Sequence, residues 1–132
     1  MLGARLTAAT SGIMQTTIGL LYLPSMPEEL IRRPLHPGQV SGVVYIEHLG
    51  PPIWSTMFLL TGQFLVFAAL RSVRFIPAHV LSAGVWAIYG GVILISAVLT
   101  EPPVPVVAGT IAMFLSLIHL AVARGCAERG IR

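Results

Sequence analysis

The chain has 132 residues, of which 55% are hydrophobic and only 10% charged, with a formal net charge of +3. An average soluble domain is about a quarter charged, so this composition argues against a soluble globular fold and for a membrane protein. The basic residues are dispersed in short hydrophilic breaks, which speaks against a nucleic-acid-binding face. The single cysteine, Cys126, allows neither an intramolecular disulfide nor a cysteine metal cluster.

Residues 6–27, 49–70, 75–100 and 102–123 carry no formal charge, and each run exceeds the roughly 20 residues needed to cross a hydrocarbon core. The sequence therefore predicts an all-α integral membrane protein. It forms one domain over residues 1–132, a four-transmembrane-helix bundle with spans at about 6–24, 51–70, 76–99 and 104–123. The first of these, "LTAATSGIMQTTIGLLYL", holds Thr7, Thr10, Ser11, Gln15, Thr16 and Thr17. It makes a poor lone span and needs neighbours to cover its polar face. With only Arg5 ahead of it, a polar middle and no small-x-small cleavage site, it is expected to be retained and not removed as a signal peptide.

An outside loop is expected over about 25–50. Ser25 and Glu28 have capping-box spacing, so "MPEELIRR" predicts one or two turns of surface helix ending at Pro34. The β-branched segment "VSGVVYIEHL" is either a short extended piece or the interfacial start of the second span. The loop is a connector lying on the membrane surface, or alternatively a docking site for an outside partner.

"RSVRF" then makes a tight turn at a membrane face, with Pro77 in the first turn of the next helix. On the inside lie Arg5, Arg71, Arg74, Arg124, Arg129 and Arg132, against Arg32 and Arg33 outside. That bias predicts a multi-pass protein of the cytoplasmic membrane with both termini cytoplasmic, and Arg71 and Arg74 are topological determinants in preference to an anion site.

Small residues recur at helical spacing. Gly3, Thr7, Ser11, Gln15 and Gly19 follow one stripe of the first helix, and Ala4, Ala8, Gly12 and Thr16 another. Ala83, Ala87 and Gly91 do the same in the third span, and Ala108, Ala112 and Ser116 in the fourth. Such stripes let helices approach closely, within one chain or between copies. Leucine at Gly12 or Gly91 is expected to disturb assembly more than Leu70→Ala.

Three polar side chains are expected at middle depth: Gln15 about 15 Å along its helix from Arg5, Gln63 about 12 Å from Arg71, and Tyr89 about 22 Å from Arg74. Gln15 and Gln63 either bond across the bundle or line a polar path after oligomerisation. His79 and His119, each five residues from an arginine, are expected near the inner interface as satisfied histidines. Glu47, His48 and Glu101 fall near the outer face without metal-ligand spacing. There is no Asp and no nucleophile, zinc-protease or P-loop motif, so neither an enzyme nor a cofactor is expected. The absence of charge within the spans argues against ion-coupled transport.

Four closely spaced spans, the outside loop entering the second span through "HLGPPIW", the short arginine turn and the arginine-rich tail together resemble the small four-span, holin-like membrane proteins of actinobacterial phages. The resemblance implies a protein that accumulates in the cytoplasmic membrane and assembles there into lesions. As such a permeabilising homo-oligomer, the chain is expected to turn the polar face of Thr7, Ser11 and Gln15 toward the lesion. The alternative is a non-catalytic interaction protein, an accessory subunit or exclusion factor, that binds another membrane protein through its stripes or loop. A small-molecule carrier is the third option.

Overall fold

The computed structural model describes residues 2–27, 37–100 and 106–131. Residues 28–33 of the expected surface helix "MPEELIRR", with Glu28 of the capping box, Arg32 and Arg33, lie outside them, as do Glu101 and Arg132. Five α-helices follow in order: α1 Leu2–Leu21, α2 Gly42–His48, α3 Ile53–Arg71, α4 Phe75–Leu99 and α5 Val107–Glu128. No strand occurs among the described residues. Helices α3, α4 and α5 are long and apolar enough to cross a membrane. Helix α1, at 20 residues, matches them in length but is more polar.

Successive long helices run antiparallel and pack as two close pairs, α1 with α3 and α4 with α5, joined along α3 and α4. The α1/α3 pair approaches so closely because of two facing glycines. A Cβ placed on Gly62 would lie 2.7 Å from the backbone nitrogen of Thr16 and 2.9 Å from the carbonyl oxygen of Gly12. One on Gly12 would lie 2.8 Å from the Gly62 oxygen. Gly90 and Gly109 play the same part between α4 and α5, where a Cβ on Gly90 would sit 2.9 Å from the Gly109 oxygen.

Between α3 and α4 the chain turns in three residues. Ser72 and Arg74 both take left-handed backbone angles, with φ of 56° and 59°. The amide of Val73 closes on the Ala68 oxygen at 3.3 Å, the wrapped ending that terminates many helices. The expected arginine turn is therefore present, with Pro77 in the first turn of α4.

Segment 41–48 is neither extended nor the start of the second span. It is a separate helix, α2, cut off from α3 by Gly50, Pro51 and Pro52, two of which cannot donate a backbone hydrogen bond. It lies over the α3/α4 end, held where the Gly42 amide donates to Ser96 Oγ (2.7 Å), Thr100 Oγ1 to the Val40 oxygen (3.1 Å) and Trp54 Nε1 to the Val43 oxygen (3.0 Å).

Two apolar clusters fill the interior. One, beneath α2, is built on Tyr22, Val43, Trp54, Phe58, Val85, Trp86, Ile93 and Ala112. Phe58 touches the rings of Tyr22, Trp86 and Tyr89 there. The other, at the opposite end, joins Ala8, Leu65, Ala68, Ala69, Phe75, Ala78 and Cys126. Tyr89, expected at mid-depth, sits half-buried on the first cluster with its hydroxyl 2.6 Å from that of Tyr22. Removing either hydroxyl by Tyr22→Phe or Tyr89→Phe should cost about 1 kcal/mol, and the double variant no more than either single one. Reversible unfolding of the three variants in detergent checks this, and additive losses would show that the two hydroxyls act separately.

Candidate functional site: a buried polar layer and an open helix face

The two apolar clusters are separated by a layer of hydrogen-bonded side chains, one from each long helix. Gln15 of α1 is 0% exposed. Its Oε1 faces Thr61 Oγ1 of α3 at 2.7 Å, and its Nε2 faces Nε2 of His119 on α5 at 3.1 Å. The His119 Nδ1 meets Nδ1 of His79 on α4 at 2.8 Å. Nearby, Ser116 Oγ donates to the Ala83 carbonyl at 2.8 Å. Thr61, His79 and His119 are all buried. The row thus crosses the whole bundle, Thr61 to Gln15 to His119 to His79, and binds all four long helices to one another.

Buried polar groups keep their place only when paired, and nearly every atom of this row is paired. The exceptions lie on α4: His79 Nε2 and Ser82 Oγ, one turn apart, are buried with no hydrogen-bond partner among the described residues. Trp86 Nε1, in the aromatic cluster, is the third such atom. No group of three or more His, Cys, Asp or Glu side chains close enough to hold a metal ion occurs among the described residues.

Of the polar residues expected at depth, Gln15 joins the helices as interhelical bonding requires. Gln63 does not: it is exposed on the outside of α3, with only a long 3.5 Å contact to Thr16 Oγ1. One residue of helix is a rotation of about 100°, and that step places Gly62 in the α1 contact while Gln63 turns outward. The two histidines, expected as satisfied groups, are buried against each other in the layer, and His79 Nε2 alone of their ring nitrogens has no partner among the described residues.

The small-residue stripes divide in the same way. Gly12, Gly19, Ala83, Ala112 and Ser116 are buried at contacts within the chain. Thr7 and Ser11 are half-exposed, and Thr7 donates to the carbonyl of Gly3. Gly3 and Ala108 are exposed, and Gly91, with Ala87 half-buried beside it, has open space where a Cβ would stand. It is Gly90, one position earlier, that meets α5. Together with Gly84, which also faces open space, Ala87 and Gly91 form a small-residue face on the outside of α4, flanked by the exposed Ile88 and Ile95.

Among the described residues, the arginines gather at one end. Arg5 Nε donates to the Ala69 oxygen at 3.1 Å, which brings the start of α1 to the end of α3. Arg71 and Arg74 bracket the adjoining turn, and Arg124 pairs with Glu128 at 2.9 Å in the last turns of α5. At this same end a groove of about 530 Å³ opens between α1 and α5, lined by Gly3, Ala4, Thr7, Ile118, Val122 and Cys126 among others. Thr61, Gly62, Gly90 and Gly109 stand out only in the folded chain, although the cluster "TGQ" in an apolar run marks the first two.

Comparison with family models, curated proteins and solved structures finds no match to this chain.

Proposed function

We propose that the chain is a non-catalytic four-span protein of the cytoplasmic membrane that associates through the outside of α4 and, once assembled, permeabilises the bilayer in the holin-like manner. Helix α1 completes the fourth span: its 20 residues extend about 30 Å. Its polarity is compatible with lipid because Gln15 is spent inside the bundle and the hydroxyls of Thr7, Thr10 and Thr17 donate to their own helix carbonyls. The arginine-bearing end faces the cytoplasm by the positive-inside rule, which puts both chain ends there.

The observation that carries the reading is the open face of Gly84, Ala87 and Gly91. Gly12 and Gly19 on α1, Gly62 on α3 and Gly90 on the inner side of α4 are used up within the chain, whereas this set is left for a second helix to approach. Since the middle of each bundle is filled by side chains, water must pass between copies and not through one. Gln15 is therefore not the lesion-lining residue, and the exposed Gln63, Thr10 and Thr17 take that role.

A second reading, binding of another membrane protein on the same α4 face, is favoured by the apolar outer surface of α5, where Ile111, Phe114, Leu117 and Ile118 are exposed and would line a lesion poorly. Dye leakage from liposomes at increasing protein density separates the two. Steeply rising leakage above a threshold, abolished in Gly84→Leu and Gly91→Leu while the helical fold persists, is the expected result. Intact liposomes at high density would overturn permeabilisation in favour of partner binding.

A further inference from the structure

The 2.8 Å approach of two imidazole Nδ1 atoms has a strict proton requirement. Two N–H groups cannot face each other there, nor can two lone pairs, so one ring donates and the other accepts. The amide of Gln15 then sets which. With its nitrogen toward His119, the His119 Nε2 accepts, His119 Nδ1–H donates to His79, and His79 carries its remaining proton on Nε2. With the amide turned by half a rotation every bond reverses. The Thr61 hydroxyl donates to the Met57 oxygen, which lies 2.8 Å away, and Gln15 donates to Thr61. His119 Nε2–H donates to Gln15 Oε1, and His79 Nδ1–H donates to His119 Nδ1. Heavy-atom positions are the same for both directions.

The two directions differ at one atom. In the first, each ring lone pair is occupied by a hydrogen bond. In the second, His79 Nε2 is a buried lone pair with no partner among the described residues. We propose that His79 Nε2 is a proton-binding site, and that proton uptake there selects the second hydrogen-bond direction from His79 through His119 and Gln15 to Thr61. In the second direction one O–H bond of the aqueous acid breaks and one N–H bond forms at Nε2; in the first, where Nε2 already carries its proton, the His119 Nδ1 proton passes to His79 Nδ1 and the proton from the acid replaces it at His119 Nε2, so both routes end at the same imidazolium. The imidazolium then donates through Nδ1 to the neutral His119, a charge-assisted bond stronger than the neutral one it replaces. Because the proton binds one direction only, it shifts the population toward it.

The groups facing the pair leave this as the controlling titration. On α1 it meets Gln15 and on α3 Thr61, both uncharged; on α4 Ser82 and on α5 Ser116 are hydroxyls. Arg5, Arg71, Arg74, Arg124, Glu128 and Arg129 stay at the arginine end, Cys126 lies in the apolar cluster there, and Glu47 and His48 belong to α2 at the other end. The proposal rests on contacts within one chain and stands whether or not copies associate.

The test is nitrogen-15 magnetic resonance of histidine-labelled full-length protein in bilayers, taken from about pH 8 to about pH 2.5, a window that extends well below the ordinary histidine range. The expected result is that His79 gains a second proton while His119 stays neutral and is held as the Nε2–H tautomer. In His119→Leu, which removes the acceptor, the same acidification should leave His79 with one proton. The idea is overturned if His119 takes the proton, if both rings take one in the same step, or if neither does. The wild-type spectra decide this even if the variant does not fold.

Discussion

Gly62→Ala is expected to part α1 from α3 and cost about 1–3 kcal/mol, in the range of an overpacked core, although it adds a single methyl group. The reason lies in what the methyl would meet. At 2.7 Å and 2.9 Å its nearest neighbours are backbone atoms of Thr16 and Gly12, which cannot rotate away as a side-chain tip can. The helices must move, and the hydrogen bond of Gln15 to Thr61, one residue away, moves with them. Gly12→Ala should cost a similar amount, since its methyl meets the Gly62 oxygen and the Val66 nitrogen. Gly91→Ala is the control: with open space at that position, better helix propensity should leave stability unchanged or raise it by up to about 1 kcal/mol. Reversible unfolding in detergent, followed by circular dichroism, ranks the three. Equal losses at Gly62 and Gly91 would refute the close α1/α3 contact.

His119→Leu should cost roughly 2–3 kcal/mol, because it strands a buried donor or acceptor on each side, Gln15 Nε2 on α1 and a ring nitrogen of His79 on α4. Gln15→Leu should cost less. The Thr61 hydroxyl keeps the Met57 oxygen at 2.8 Å as a partner, so only His119 loses one. The double variant His119→Leu with Gln15→Leu should then cost less than the sum of the two, since the second change removes a group that the first has orphaned. A thermodynamic cycle on these three variants in detergent measures the coupling. A sum that is strictly additive would mean that the layer does not act as a unit.

Much of this architecture can be read from where charge is missing. The helices α3, α4 and α5, at 53–71, 75–99 and 107–128, fall on the uncharged runs 49–70, 75–100 and 102–123, against expected spans of 51–70, 76–99 and 104–123. The last helix overruns because Arg124 and Glu128 continue it past the apolar stretch, and side chains of that length reach water from a helix end. Helix α2 was hidden because seven residues are too few to show a period, and Val43, Val44 and Ile46 favour strands.

Which face of each helix turns inward was less legible. In a soluble protein, polarity marks the outside; in lipid both faces are apolar, and that contrast is lost. The small-residue stripe therefore pointed to Gly91, although it is Gly90 that touches α5 and Gly91 that meets nothing. Gln15 and Gln63 were equally plausible as deep polar groups for the same reason. The pairing of His79 with His119, 40 residues apart, leaves no local pattern at all.

The order in which the layer is assembled bears on how the chain is made. Gln15 emerges first during synthesis, Thr61 follows 46 residues later and His119 104 residues later. Until α3 has been made, then, the least apolar of the long helices has no partner for its buried glutamine. Helix α3 supplies both the glycine that α1 packs on and the first partner of Gln15. The layer is complete only once α5 has been made, so a chain that ends before α5 would hold Gln15 by the Thr61 bond alone.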